Sequence, residues 1–242
     1  MSDHTLLYLY EKIENKLLDS KEYLQISNDL MKSLKKLHLD QILNIYSRKN
    51  KCVKKVLEEI LPISIYIKNL KGFENLYICW ENGNQLYDGF VQFSLNNGFS
   101  TLESSKIYLE VTVAEHENER LVRDLLRTEG SCFGVKGIRK VGQQVTTECV
   151  TYDVEEYFQE FYPIILARIY DKNSKEYPEN TVLIISCNLT TIYYSSEWYL
   201  LEKKLEKDLK NIQFIEIFLY DSHSENIMYI FKNNKKSPKT EL

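Results

Sequence analysis

LYICWE (76–81) and LYDGFVQF (86–93) flank Asn82-Gly83-Asn84-Gln85, and KIYLEVTVA (106–114) follows after the polar stretch 94–105. Asn-Gly between two apolar, aromatic runs signals a hairpin, because both residues accept the positive φ of a tight turn. The third run alternates, with Ile107, Leu109, Val111 and Val113 on one face and Tyr108, Glu110, Thr112 and Ala114 on the other. Together these runs predict a three-stranded antiparallel meander over 74–114. A helix over about 116–128 then carries Leu121, Val122, Leu125 and Leu126. It is expected to pack on the Ile107/Leu109/Val111/Val113 face.

Upstream, residues 4 to about 61 read as helical, with apolar positions such as Leu30, Leu34, Leu43 and Ile45. Ser20 is placed to cap a second helix, and a third ends before Pro62, which disfavours helix in the residue ahead of it. No Gly/Pro/Ser linker separates this part from the rest. The expected organisation is a helical region 1–61 packed on an α/β core 62–232, followed by a flexible tail 233–242. Downstream, 131–150 read as irregular, 153–171 as a long helix with Pro163 inside, 181–187 (TVLIISC) as a buried strand and 196–211 as a helix. Strands at 213–220 and 226–231 complete an α/β chain with a mixed sheet.

Composition closes several routes. Five cysteines, scattered singly, exclude a disulfide framework or a dense zinc site and point to a reducing compartment. A net charge of −4 excludes a globally basic nucleic-acid coat but not a local basic patch. No apolar run approaches the roughly 18 residues needed to span a bilayer, and Met1-Ser2-Asp3-His4 has no basic leader, so a cytoplasmic chain without a membrane partner is expected. There is no GxxxxGK[ST], GxGxxG, HExxH or GxSxG. The four histidines nominate no Cys–His pair.

What remains is a set of carboxylates on adjoining strands. Asp88 precedes Gly89 in the second run, and Glu110 lies mid-strand with Thr112 on the same face. A mid-strand carboxylate among β-branched residues calls for a partner or a metal, unless that face is solvent-exposed. Two nearby carboxylates repel, and a divalent cation resolves the repulsion. Mg²⁺ in particular takes one or two carboxylates plus water and phosphate oxygens. Cations for a phosphodiester are available in Arg120, Arg123 and Arg127, and in Lys136, Arg139 and Lys140 among Gly134, Gly137 and Gly142. The alternative for these residues, as for the basic segment Arg48, Lys49, Lys51, Lys54 and Lys55, is a solvated face. Tyr77, Trp80 and Tyr87 could stack bases or fill a core.

The order helix, three strands, helix, strand, with Tyr87-Asp88-Gly89 and then Glu110-Val111-Thr112, resembles the core of the PD-(D/E)XK nuclease superfamily. The resemblance covers roughly 74–130 and 181–187. It implies a divalent-metal-dependent endonuclease, DNA being favoured, in a restriction, defence or mobile-element setting. Asp88 and Glu110 would be ligands of Mg²⁺ or Mn²⁺, Val111 the residue lending its carbonyl, and Glu81 an additional acid. Thr112 stands where the family has its lysine, and relatives that lack it there take a cation from elsewhere: here Lys106, Lys172, Lys175 or Arg120. The second reading is a nuclease-like fold without catalysis that binds nucleic acid or a protein. Either leaves room for a homodimer.

Overall fold

The computed structural model describes residues 3–36, 50–70, 76–93, 106–142, 144–151, 153–188, 195–222 and 226–231. The expected loop 94–105, Leu43, Ile45, Arg48 and Lys49 of the third predicted helix, and the tail 233–242 lie outside them. Helix α1 (Asp3–Ile13) leads into β1 (Leu17–Asp19) and α2 (Ser20–Lys35). The Asp19 side chain, rather than Ser20, caps α2 by accepting from the Lys21 and Glu22 N–H groups. β1 is a correction to the all-helical reading of this region: its three residues add an edge to the main sheet.

Pro62 does not end the next helix. Lys51–Lys55 (α3), a π-helical turn Val56–Ile60 and Leu61–Asn69 (α4) run on without interruption. The proline lies at the start of α4, after a turn with i→i+5 bonding that relaxes the strict i→i−4 ladder. Proline in a helix interior costs a ladder hydrogen bond, and here the π-helical turn has already loosened the ladder.

The meander is present as β2 (Leu76–Trp80), β3 (Gly89–Phe93) and β4 (Lys106–Ala114), antiparallel throughout, with Trp80 opposite Gly89 and Gly89 opposite Leu109. Then follow α5 (Glu119–Glu129), a 3₁₀ turn Val135–Gly137, β5 (Ile138–Val141), β6 (Gln144–Thr147) and α6 (Val154–Asn173). β7 (Thr181–Cys187), α7 (Ser195–Asp208), β8 (Glu216–Asp221) and β9 (Ile227–Phe231) complete the chain. The seven-stranded sheet runs β1-β2-β3-β4-β7-β8-β9, with β7 parallel to β4 and to β8. β5 and β6 pair only with each other, where an irregular segment was expected.

Both faces of this sheet are covered, as a buried parallel centre requires. On one face Ile26, Leu30, Val56, Ile60, Ile63 and Ile67 of the N-terminal helices meet Leu109, Val111, Val182 and Phe218. On the other, Phe161, Ile165 and Ile169 of α6 and Leu201 and Leu205 of α7 meet Leu183, Ile185 and Leu219. The Leu109/Val111 face therefore belongs to the N-terminal helices and not to α5, correcting the sequence expectation. The reason is the length of the apolar stripe. α2, α3 and α4 bury Tyr23, Ile26, Leu30, Leu34, Val53, Ile63 and Ile67, whereas on α5 Leu125 alone is buried among the described side chains. Trp80 is fully buried, so it is a core residue rather than a stacking platform.

Gly89 is fixed by close approach. A Cβ there would stand 2.6 Å from the Cys79 carbonyl oxygen and 3.4 Å from the Trp80 Cα, both backbone atoms of the paired strand. Gly89→Ala must part β2 from β3 and is expected to cost about 1–3 kcal/mol. A denaturant midpoint unchanged from that of the parent chain would contradict this packing.

Candidate active site

The site forms where β3 begins. The Glu81 N–H donates to the Asp88 carbonyl and the Asp88 N–H donates to the Leu109 carbonyl, each at 2.9 Å. Asp88 is thus tied to both neighbouring chains one residue before its own strand starts. Its carboxylate continues the ladder, with Oδ2 accepting from the Val111 N–H at 2.8 Å. In a strand, the N–H and C=O of one residue point to the same edge. The Val111 carbonyl is therefore on the edge where Asp88 sits.

Glu110 points to the other face of β4, towards α6, and it is buried: 6% of its surface is exposed. The open outer face that sequence left as an alternative is absent here. Lys172, in the last turn of α6, forms an ion pair with Glu110 Oε1, and the nearby Tyr177 also favours the charged form of this carboxylate. Tyr177 is held in place by its ring, 5.3 Å from that of Phe214. Of the four cations proposed to replace the missing lysine, Lys172 is the one that meets Glu110. Lys106 lies over the Phe90 ring, Lys175 is exposed and acts on Glu110 through its charge, and Arg120 is exposed on α5. Thr112 shares the Glu110 face and brings no charge.

A third acid escaped the sequence reading. Glu59, in the π-helical turn, accepts a hydrogen bond from Trp80 Nε1 at 2.9 Å and pairs with Lys55 at 3.2 Å. It is close enough to act on Asp88. Burial, then the charges of Glu110 and Glu59, push the Asp88 carboxyl up to about 7, against the Val111 N–H and Lys172. Burial also raises Glu110, with Lys172 and Tyr177 opposing it. Lys172 therefore serves Asp88 and Glu110 together, while Glu59 has its own cation in Lys55. Glu81 turns its side chain to the Tyr87 hydroxyl and contributes through its main chain.

The donors present are hard oxygens: two carboxylates in mutual repulsion and one main-chain carbonyl edge. They suit Mg²⁺ or Mn²⁺, which keep several waters and need few protein ligands. Among the described residues no three or more His, Cys, Asp or Glu side chains are gathered as a ready metal cage.

The expected basic set is not drawn to these acids. Arg123 makes a two-pronged pair with Glu115, at 2.8 and 3.2 Å, beside a cavity of about 590 Å³ at the C-terminal ends of β4, β7 and β8. Asp88, Glu110 and Lys172 take no part in lining it. Lys136 pairs with Glu156 and Arg139 with Glu148, while Arg120 and Lys140 are exposed. The side chain of Arg127 lies outside the described ones. No helix among the described residues is long and apolar enough to cross a membrane. Compared with family models, with curated proteins and with solved structures, the chain matches none.

The raised carboxyl sets a direction for stability. The folded state holds the Asp88 proton up to about pH 7, whereas the unfolded chain releases it near 3.8. Stability from this group is thus present below about pH 4 and is lost as pH rises through 7. Asp88→Asn keeps an acceptor for Val111 and removes the repulsion. It is expected to raise Tm at pH 8 and to flatten the fall in Tm between pH 5 and pH 8. Relief of about 1 kcal/mol would appear as roughly 2–4 °C in a chain of this size. Glu216, also pushed up to about 7 by burial, keeps part of the slope. A variant less stable than the parent at pH 8 would refute the assignment of Asp88.

Proposed function

We propose that this chain is a divalent-metal-dependent phosphodiesterase acting on nucleic acid, with DNA the substrate to test first. The observation that carries the reading is the meeting of Lys172 with Glu110 beside Asp88 and the Val111 main chain. It answers the one chemical objection in the sequence, the uncharged Thr112 where a lysine was needed.

Asp88 and Glu110, with the Val111 carbonyl, would hold the cation. Mg²⁺ or Mn²⁺, when bound, supplies Lewis-acid neutralisation of the phosphate and lowers the pKa of water. The protein does the positioning. Asp88 is fixed by its backbone on both sides and by one carboxylate oxygen, which leaves the second oxygen for a ligand. Lys172 has three ammonium donors. With one on Glu110, the others can orient a water or a non-bridging phosphate oxygen and offset charge developing on the phosphate. Lys172 holds Glu110 from α6, and Tyr177 beside it favours the charged carboxylate.

Asp88→Ala and Glu110→Ala are expected to abolish cleavage of plasmid DNA in Mg²⁺ or Mn²⁺ while the fold is kept. Lys172→Ala should cost about 10²–10³ in rate, the scale of one lost oxyanion contact. Thr112→Lys adds nothing to the parent chain, because its charge would arrive where Lys172 already lies. In the Lys172→Ala background it should recover part of the loss. A chain that binds neither metal by calorimetry and cleaves neither DNA nor RNA, in parent and Thr112→Lys forms alike, would leave the non-catalytic binding module as the reading.

A further inference from the structure

The hairpin β5–β6 stands apart from the sheet and from both cores. It is anchored at its base, where the Glu148 N–H donates to the Gly137 carbonyl at 3.0 Å and Val135 and Ile138 are buried. Asn118 Nδ2 donates to the Val135 carbonyl at 3.0 Å. Gly137 is required there, since a Cβ would stand 1.8 Å from the Glu148 carbonyl oxygen. Beyond the base, none of the described residues covers the outward face. Arg139 pairs across with Thr146 and Val141 with Gln144, and all four are exposed, Val141 at 72%.

A two-stranded ribbon is marginal in water by itself and gains nothing from an exposed apolar tip. Its composition points to an anionic surface. Residues 130–147 carry Lys136, Arg139 and Lys140 and no acid, in a chain of net charge −4. The neighbouring acids do not cancel this. Glu148 faces Arg139 at 3.7 Å, with both side chains more than 60% exposed, and Glu156 meets Lys136 at 3.3 Å. Such surface pairs are worth little and yield to a phosphate. The outward face presents Arg, Gln, Thr and Val, side chains that bond base edges or meet a thymine methyl, and a major groove about 12 Å wide admits a two-stranded ribbon.

We propose that the paired strands Ile138–Val141 and Gln144–Thr147 are a duplex-DNA grip that lays Arg139, Val141, Gln144 and Thr146 into a groove, with Lys140 on the flanking phosphates. This rests on the reading of the chain as acting on nucleic acid. It assigns the grip to a part of the molecule other than the carboxylate site.

The test is fluorescence anisotropy of the full chain with a 25-base-pair duplex, without divalent metal, across a salt series. Arg139→Ala/Lys140→Ala should weaken binding roughly tenfold or more and make the slope of log K against log salt shallower by about 2. Lys207→Ala/Lys210→Ala, on exposed positions of and just after α7, makes the same charge change elsewhere and should leave both unchanged. Melting temperatures equal to the parent's establish that the exposed substitutions keep the fold. Hairpin variants that bind like the parent overturn the grip while leaving the nuclease reading standing. Equal losses in the hairpin and α7 variants also overturn it, because net charge alone would then account for binding. A parent chain that binds no duplex DNA overturns the grip, and the nuclease reading then falls only if the cleavage assay also fails with both DNA and RNA.

Discussion

A carboxylate buried in the middle of a sheet that is covered on both faces constrains everything around it. Glu110 cannot stay charged among Leu183, Ile185 and the α6 side chains without a cation, and cannot be neutral without losing the negative charge a metal would need. Desolvating a carboxylate costs several kcal/mol, and that cost is offset only by close, well-directed partners. Lys172 and Tyr177 are those partners, and both come from the same turn of chain, the end of α6 and the segment leading into β7. The crossover from β4 to β7 must therefore return its helix to the sheet with this end above Glu110. α6 does so by burying Phe161, Ile165 and Ile169 along one stripe.

Asp88 has the opposite problem. Its position is fixed by backbone hydrogen bonds on both sides, yet its charge is met by two other acids and shares the single ammonium with Glu110. A fold optimised for stability alone would not keep this arrangement. Local conflict of this kind, in an otherwise consistent structure, is characteristic of positions retained for chemistry. Glu59 sharpens the point: it is positioned by Trp80 and Lys55, residues deep in the N-terminal half, so the acid cluster draws on three separate elements.

The sequence made β4 legible because one nine-residue strand states both its faces, and TVLIISC because an apolar run of that length suits a strand buried on both sides. Asp88 and Glu110 were legible for the same reason: a carboxylate breaks an otherwise clear pattern. The partner of Glu110 was not. Lys172 lies 62 residues away, and no periodicity in α6 distinguishes it from Lys175, three positions on. Glu59 sits in a turn whose π-helical bonding shifts the register that a 3.6-residue period assumes. The β5–β6 hairpin is not legible because its strands are short and, beyond Ile138, none of their residues is buried, so they lack the apolar alternation by which strands announce themselves. The packing of α5 was misjudged for want of a competitor: nothing local to α5 reveals that α2, α3 and α4 would claim the Leu109/Val111 face first.

The source of the cation has a geometric logic. A lysine at position 112 would share the Glu110 face, two residues along, about 6.5 Å away on the strand. Its side chain would have to bend back along β4 to meet the carboxylate. A lysine from the facing helix approaches from above and extends its stem across the apolar surface of the sheet, where four methylenes are better placed than in solvent. The ammonium arrives near the same point by either route, and electrostatics depends on where the charge is, not on which element delivers it. What changes is the coupling. A strand lysine is fixed wherever the sheet is fixed, whereas Lys172 is in place only when α6 is docked, so the charge balance at Glu110 depends on the packing of Ile165 and Ile169 as much as on the two charged residues themselves.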